Sequence, residues 1–178
     1  RENGGQPLAF NLTISNSPEY LKVANELKGY WQKLGAQVNL IAEDPSDFGT
    51  ILEDHGYQAI LYGISIGIDP DVFVYWDSSQ AQANSSTYLN LSEWKNSSAD
   101  ESLEEGRISL NPSLRAAEYQ GLLSAWQQDL PALGLYQPRL LYLTNGTVFG
   151  LNGNTINTNT DRFNNVWNWE IDEAKVTD

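Results

Sequence analysis

One rhythm constrains this chain more than any other feature. Between residues 8 and 65, short apolar runs trade places with segments whose apolar residues fall at helical spacing. LAFNLTIS (8–15) alternates apolar and polar and predicts a strand. Asn16 or Ser17 supplies an N-cap and Pro18 suits the first helical turn. Leu21, Ala24, Leu27, Trp31 and Leu34 then mark one helix face, and Gly35 ends it. AQVNLIA (36–42) predicts the next strand, PSDFGTILEDHG (45–56) a short helix, and YQAILYGIS (57–65) a third strand. The third strand is the most continuously apolar, so it is expected at the centre of the sheet. Strand–helix–strand–helix–strand order implies parallel strands joined by right-handed crossovers, hence an α/β fold.

That topology gives the next stretch its meaning. GISIGIDPDVFVYW (63–76) continues the third strand past its end. In open α/β sheets ligands sit outside the carboxyl ends of the strands, so residues 63–68 are placed to line a cleft. Asp69 is expected to cap a helix over 70–77, with Pro70 in its first turn and Tyr75 and Trp76 packing it on the sheet. Residues 78–98, rich in Ser, Asn and Gln, read as loop. SSADESLEEGRI (97–108) predicts a helix. Asn111 caps and Pro112 opens a long one, with Leu114, Ala117, Leu122, Trp126 and Leu130 as its apolar stripe. ALGLYQP and RLLYLTN read as strands or extended chain, and 151–168 as mostly irregular.

Composition narrows the function. The net charge is −13, with 10 basic residues scattered along the chain, which argues against nucleic acid and anionic membrane surfaces. There is no cysteine, so disulfides, thiolate metal sites and cysteine nucleophiles are excluded. The single histidine, His55, precedes Gly56 at a helix end, where a surface imidazole suits the helix dipole. Ser–His and zinc chemistry therefore have little material. Glu104 and Glu105 are neighbours on a helix and face different directions, so they read as a solvated face. No apolar run approaches the roughly 20 residues of a membrane span. The start RENGGQP lacks a signal-peptide core, and with no Met anywhere the sequence reads as a segment of a longer chain. Sequons at Asn11, Asn84, Asn90, Asn96 and Asn145 carry weight only in a eukaryotic source.

Three segments together resemble the C-terminal part of the family 5 extracellular solute-binding proteins, the peptide- and nickel-type receptors of ABC importers. YLKVANELKGYWQKLGAQVNLIAEDPSDFGTILEDHGYQAILYG is similar to the family's helix, Trp-x-x-hydrophobic-Gly turn, strand, Phe-x-x-x-Leu helix and strand. The glycine-rich strand end running into Asp69-Pro70-Asp71 and Phe73 is the second likeness. The third is NSSADESLEEGRISLNPSLRAAEYQGLLSAWQQDLPALGLYQP, where Asn96, Asp100, Leu103, Arg115, Tyr119, Pro131 and Tyr136 fall on family positions.

The resemblance spans roughly residues 8–150. It implies one lobe of a type II periplasmic-binding-protein-like fold, a mixed, mostly parallel sheet flanked by helices. Residues 1–150 would be the ligand-binding lobe, and 151–178 an irregular tail returning toward a missing lobe. It further implies that Ile64, Ser65, Ile66, Gly67 and Ile68 form the cleft loop, with Asp69 after it and Tyr136 and Gln137 at a neighbouring strand end. Many peptide receptors of the family carry Gly-Trp in this loop and then an Asp that pairs with the ligand's α-amine. Here Ile64 stands where the Trp would be, and Gly67 or Ile66 where the Asp would be.

The function expected is capture of peptides or a similar small solute for an ABC importer, without catalysis and without a cofactor. The expected partners are the permease subunits and the N-terminal lobe of the same protein. The expected location is extracellular or periplasmic, with a lipoprotein anchor outside this sequence. A repurposed sensor or scaffold lobe, or a glycoside hydrolase using two carboxylates, are the alternatives.

Overall fold

The computed structural model describes residues 2–3, 5–139, 141, 143–144, 148–150 and 160–171. The chain divides into two compact units, Arg1–Ser65 with Asp71–Ala132, and Ile66–Pro70 with Leu133–Asp178.

The first unit opens with two short antiparallel strands, β1 (Glu2–Asn3) and β2 (Gln6–Pro7), with Gly5 at φ +81° between them. The alternation then follows as β3 (Ala9–Ser15), α1 (Pro18–Lys33), β4 (Gln37–Glu43), α2 (Pro45–Asp54) and β5 (Ala59–Ile60). The sheet order is β4-β3-β5, and both pairings are parallel. Ser17 caps α1 by accepting from the Tyr20 amide, and Gly35 follows the helix at φ +86°, a conformation that costs glycine little. Leu12, Ile14, Ala24, Val38 and Leu61 form the buried core, with Leu21, Leu27 and Trp31 of α1 packed over it as the helical spacing predicts.

The third strand is a correction. It pairs over only two residues and lies at an edge, while β3 is central, with Leu12, Thr13 and Ile14 all buried. The last sheet-like bond runs from the Leu61 amide to the Thr13 carbonyl. Apolarity after Leu61 does not mark a buried strand, since residues 62–70 are exposed.

The helical half of this unit is α3 (Phe73–Trp76), a 3₁₀ turn at Ser78–Gln80, α4 (Ser97–Ile108) and α5 (Pro112–Asp129). Asn96 and Asn111 cap the two longer helices through their side-chain oxygens. Ala99, Leu103, Leu122 and Trp94 make a second core, against which Trp76 and Trp126 stack edge-on at 5.9 Å. Trp76 thus joins the helical core rather than the sheet. The expected stripe of α5 holds at Leu122 and Trp126 but not at Leu114 and Leu130, each 57% exposed, because α5 packs through Tyr119, Leu122, Ala125 and Trp126.

The loop between α3 and α4 is organised by Asn90, which is fully buried. Its amide nitrogen donates to the carbonyls of Asp77 (3.0 Å) and Trp94 (2.8 Å). Its oxygen accepts from Ser92 Oγ (3.0 Å) and the Trp94 amide (3.2 Å). The same loop is fastened to the end of α2, where the Tyr57 hydroxyl donates to the Leu91 carbonyl at 2.7 Å. His55 corrects the surface reading. Its side chain is 4% exposed, and Nδ1 lies 2.8 Å from Glu93 Oε1. It ends α2 at φ +50°, and that left-handed turn brings the ring inward to meet the loop.

In the second unit, β6 (Val148–Phe149) pairs antiparallel with β7 (Glu170–Ile171). Two 3₁₀ turns, Asp161–Phe163 and Val166–Asn168, precede β7. Asn165 Nδ2 donates to the Gly150 carbonyl at 2.6 Å, and Trp169 Nε1 donates to Asn165 Oδ1 at 3.1 Å. Residues 133–139 form no regular structure, the RLLYLTN segment lies partly outside the described residues, and 151–159 and 172–178 of the tail lie wholly outside them. Trp167 is 74% exposed.

Candidate ligand-binding site

Chain topology delivers residues 61–65 to the carboxyl end of β5. Gly63 lies beside Tyr20, whose hydroxyl would sit 3.2 Å from an added Cβ. Burial, then Tyr75 and Tyr20, push the Tyr62 phenol above its ordinary value. Three phenols therefore gather at the root of the segment, and Tyr75 donates to the Ser65 carbonyl at 3.1 Å. Sequence reasoning missed Tyr20 and Tyr62. Their signal was position, since Tyr20 opens α1 and Tyr62 follows β5 at the same end of the sheet.

Beyond the root the segment is open. Ile64, Ile66 and Ile68 are 42%, 50% and 80% exposed. Among the described residues, 64–68 make no backbone-to-backbone hydrogen bond. Exposed aliphatic side chains beside a backbone that pairs with no other backbone group suit an extended chain that pairs like a strand and offers apolar side chains. By compact unit, Ile64 and Ser65 belong to the first, while Ile66, Gly67, Ile68, Asp69, Tyr136 and Gln137 belong to the second. Asp69 and Gln137 are exposed, and Tyr136 is 53% exposed.

The helix cap is a second correction. α3 begins at Phe73, not Pro70, and the acceptor for the Phe73 amide is Asp71 Oδ1 at 3.1 Å. Asp71 Oδ2 also accepts from Arg107 Nε at 2.8 Å, and the Arg107 guanidinium lies 4.2 Å from the Phe73 ring centre. The N-cap position itself is Val72, whose side chain caps nothing, and Asp71 one residue earlier accepts from both the Phe73 amide and Arg107. A cavity of about 670 Å³ opens elsewhere, at the amino ends of β3 and β4, near Ala9, Asn11, Gln37 and Lys28. At the carboxyl end of β5, residues 62–65 are instead exposed. Among the described residues no group of three or more His, Asp or Glu is placed to hold a metal.

This arrangement has solved counterparts. NikZ from Campylobacter jejuni, in complex with Ni(L-His), matches at a TM-score of 0.66 with 23% identity, over 73% of this chain and 26% of its own. AppA from Bacillus subtilis, an oligopeptide-binding protein in complex with a nonapeptide, matches at 0.64 with 20% identity, over 73% and 26%. DppA from Helicobacter pylori, an ABC transporter-associated periplasmic binding protein in complex with peptide STSA, matches at 0.62 with 18% identity, over 71% and 25%.

The fold is that of the periplasmic-type solute-binding proteins.

The solute-binding fold is the one that the sequence resemblance implies. The chain spans about a quarter of the length of these relatives in structure. No protein-family profile and no curated protein matches the sequence.

Proposed function

We propose that this chain is one lobe of the substrate-binding component of an ABC importer. In this reading it takes peptides or a similar small solute into a cleft shared with an N-terminal lobe of the same protein. The observation that carries the reading is the shared solute-binding fold, whose solved counterparts hold a nonapeptide, a tetrapeptide and Ni(L-His). Residues 1–150 serve as the lobe and 151–178 run back toward the other lobe. The protein works outside the cytoplasmic membrane, tethered through a lipoprotein segment beyond this sequence, and hands its cargo to permease subunits. It performs no chemistry on that cargo.

Residues 64–69, Tyr136 and Gln137 are the proposed contacts. The backbone of 64–68, which makes no backbone-to-backbone bond among the described residues and whose Ser65 carbonyl accepts from Tyr75, supports recognition by strand-like pairing, with the isoleucines forming apolar pockets. Residues 63–68 include no carboxylate, so an ammonium brought there loses hydration without compensation from this loop. Internal peptide segments and uncharged solutes therefore suit it better than free amino termini.

The test is a thermal-shift screen of the full-length protein against peptides, sugars and metal ions. A ligand at 100 times its Kd adds about 2.7 kcal/mol of stability, and a melting temperature unmoved by every class refutes the receptor reading. A peptide hit is then compared with its N-acetylated form. The expected affinities are similar, and a loss of about 100-fold on acetylation, roughly 2.7 kcal/mol, refutes the backbone-pairing account.

A further inference from the structure

We propose that a cavity between α2 and residues 85–91 is the pocket for one apolar side chain of the bound ligand, of leucine to phenylalanine size. This role rests on the receptor reading above and names the side-chain chemistry that the receptor selects.

The cavity holds about 190 Å³. Gly49 and Leu52 of α2 form one wall, Tyr88, Leu89 and Leu91 the other, and Tyr62 closes the gap between them. Its size sets the occupant. Pockets that swallow a whole small ligand start at about 300 Å³. An apolar cavity of about 150 Å³ is enough for benzene. One side chain therefore fits here and a whole solute does not.

The walls are fastened before any ligand arrives. The Asn84 amide donates to the Glu53 carbonyl at 2.6 Å. Past the other end of the lining segment, the Tyr57 hydroxyl donates to the Leu91 carbonyl at 2.7 Å, and His55 Nδ1 lies 2.8 Å from Glu93 Oε1. Links on both flanks hold 85–91 against the end of α2, so the cavity is formed in advance and filling it costs little ordering.

Position ties the cavity to the candidate site. Tyr62 lines it and also belongs, with Tyr20 and Tyr75, to the phenols at the root of residues 63–65. Side chains of an extended ligand alternate, so one can enter beside Tyr62 while its neighbours turn away. Glu53, Ser85 and Ser86 also border the cavity, which raises a lysine or arginine as the rival occupant. Glu53 is exposed, and an exposed ion pair adds at most about fivefold in affinity. Burying an aliphatic or aromatic side chain adds about tenfold or more, so the apolar occupant is preferred.

The test uses the full-length protein and pentaalanine, acetylated and amidated at its ends, with Leu, Phe or Lys placed at one position at a time. At one position Leu or Phe is expected to bind about tenfold tighter than alanine, and Lys at most about fivefold tighter. Gly49→Leu and Ser86→Phe fill the cavity from opposite walls, and each should erase that gain while leaving pentaalanine binding unchanged. A Cβ on Gly49 meets no atom within 4 Å, so Gly49→Leu should keep the parent melting temperature. No gain at any position, a larger gain for Lys than for Leu and Phe, or a gain that survives both variants overturns the pocket. Toluene, with no peptide present, tests the cavity apart from the receptor reading. It should shift the fluorine NMR signals of Tyr62 and Tyr88 in fluorotyrosine-labelled protein, and should not in Gly49→Leu. Unshifted signals in the parent overturn the pocket whatever the peptides do. Shifted signals with no peptide bound count against the peptide-receptor reading and not against the pocket.

Discussion

Asn90→Ala isolates a buried side chain that makes four hydrogen bonds. The substitution removes four hydrogen bonds, two given and two received. The Asp77 carbonyl keeps the Gln80 amide as a donor, but the carbonyl and amide of Trp94 lose the partner described for each. At about 1 kcal/mol per bond, raised for the stranded buried groups and lowered for water that enters the gap, the expected loss is about 3–4 kcal/mol. Asn90→Asp is the sharper variant. It keeps the size and both acceptors but turns the two donors into a carboxylate aimed at carbonyl oxygens. Its deficit relative to the parent is expected to be larger than that of Asn90→Ala at pH 7 and to shrink on acidification, as protonation restores one donor. Urea denaturation followed by tryptophan fluorescence reads this directly, since Trp94, Trp76 and Trp126 share the core beside the loop. A loss below about 1 kcal/mol for Asn90→Ala, or an Asn90→Asp deficit independent of pH, refutes the hydrogen-bond account.

Gly121→Ala puts a Cβ 2.6 Å from Ser102 Oγ between α4 and α5. Overpacking of about 1–3 kcal/mol should outweigh the roughly 1 kcal/mol gained in helix propensity, and adding Ser102→Gly should recover part of the loss in the same urea melts. Burial, and secondarily Glu93, push the Tyr57 phenol up to about 12 from its ordinary 10.0. An acid raised in the folded state contributes stability that is complete below its unfolded value and lost as pH rises through the folded one. Thermal melts between about pH 10 and 12 should therefore fall more steeply for the parent than for Tyr57→Phe, and parallel curves would remove Tyr57 from the alkaline transition. Arg107→Ala should cost about 1 kcal/mol, since the Asp71 pair is part-exposed and the Phe73 stack adds to it, and a loss above about 3 kcal/mol would mean that the cap depends on it more deeply. Calorimetry on this chain alone should give much weaker ligand binding than the full-length protein, and equal affinities would defeat the shared-cleft reading.

What was legible in the sequence follows from how local the physics is. The caps at Ser17, Asn96 and Asn111 and the burial of Leu21, Leu27 and Trp31 depend on neighbours a turn away, so residue type and spacing specify them. The overestimated third strand shows the limit, because the run 57–65 looks equally apolar whether or not a partner strand continues beside it. The cap of α3 failed for a related reason. Asp69 and Asp71 are equivalent in a local reading, and Asp71 pairs with Arg107, 36 positions away, which no local reading sees. His55 reads as a surface residue until Glu93, 38 positions on, is known to meet it. At the candidate site the order of elements places residues 61–65 directly after β5, while the phenols of Tyr20, Tyr62 and Tyr75 converge only in three dimensions.

The register of the parallel sheet also sets an order of assembly. Asn11 lies beside Asn39, 28 positions along the chain, but meets Gln58 only after 47. Loop-closure entropy makes the longer excursion costlier by about 0.5 kcal/mol, and it is rewarded by two paired residues where the shorter one is rewarded by seven. Joining β3, α1 and β4 is thus the favoured first event, and β5 docks onto a ladder already formed. Substitutions at Leu12 or Val38 should then slow refolding, while those at Ala59 or Ile60 should chiefly hasten unfolding. The segment proposed to meet ligand is tethered to the strand that arrives last and holds by the fewest bonds, so it inherits the loosest anchorage of the sheet.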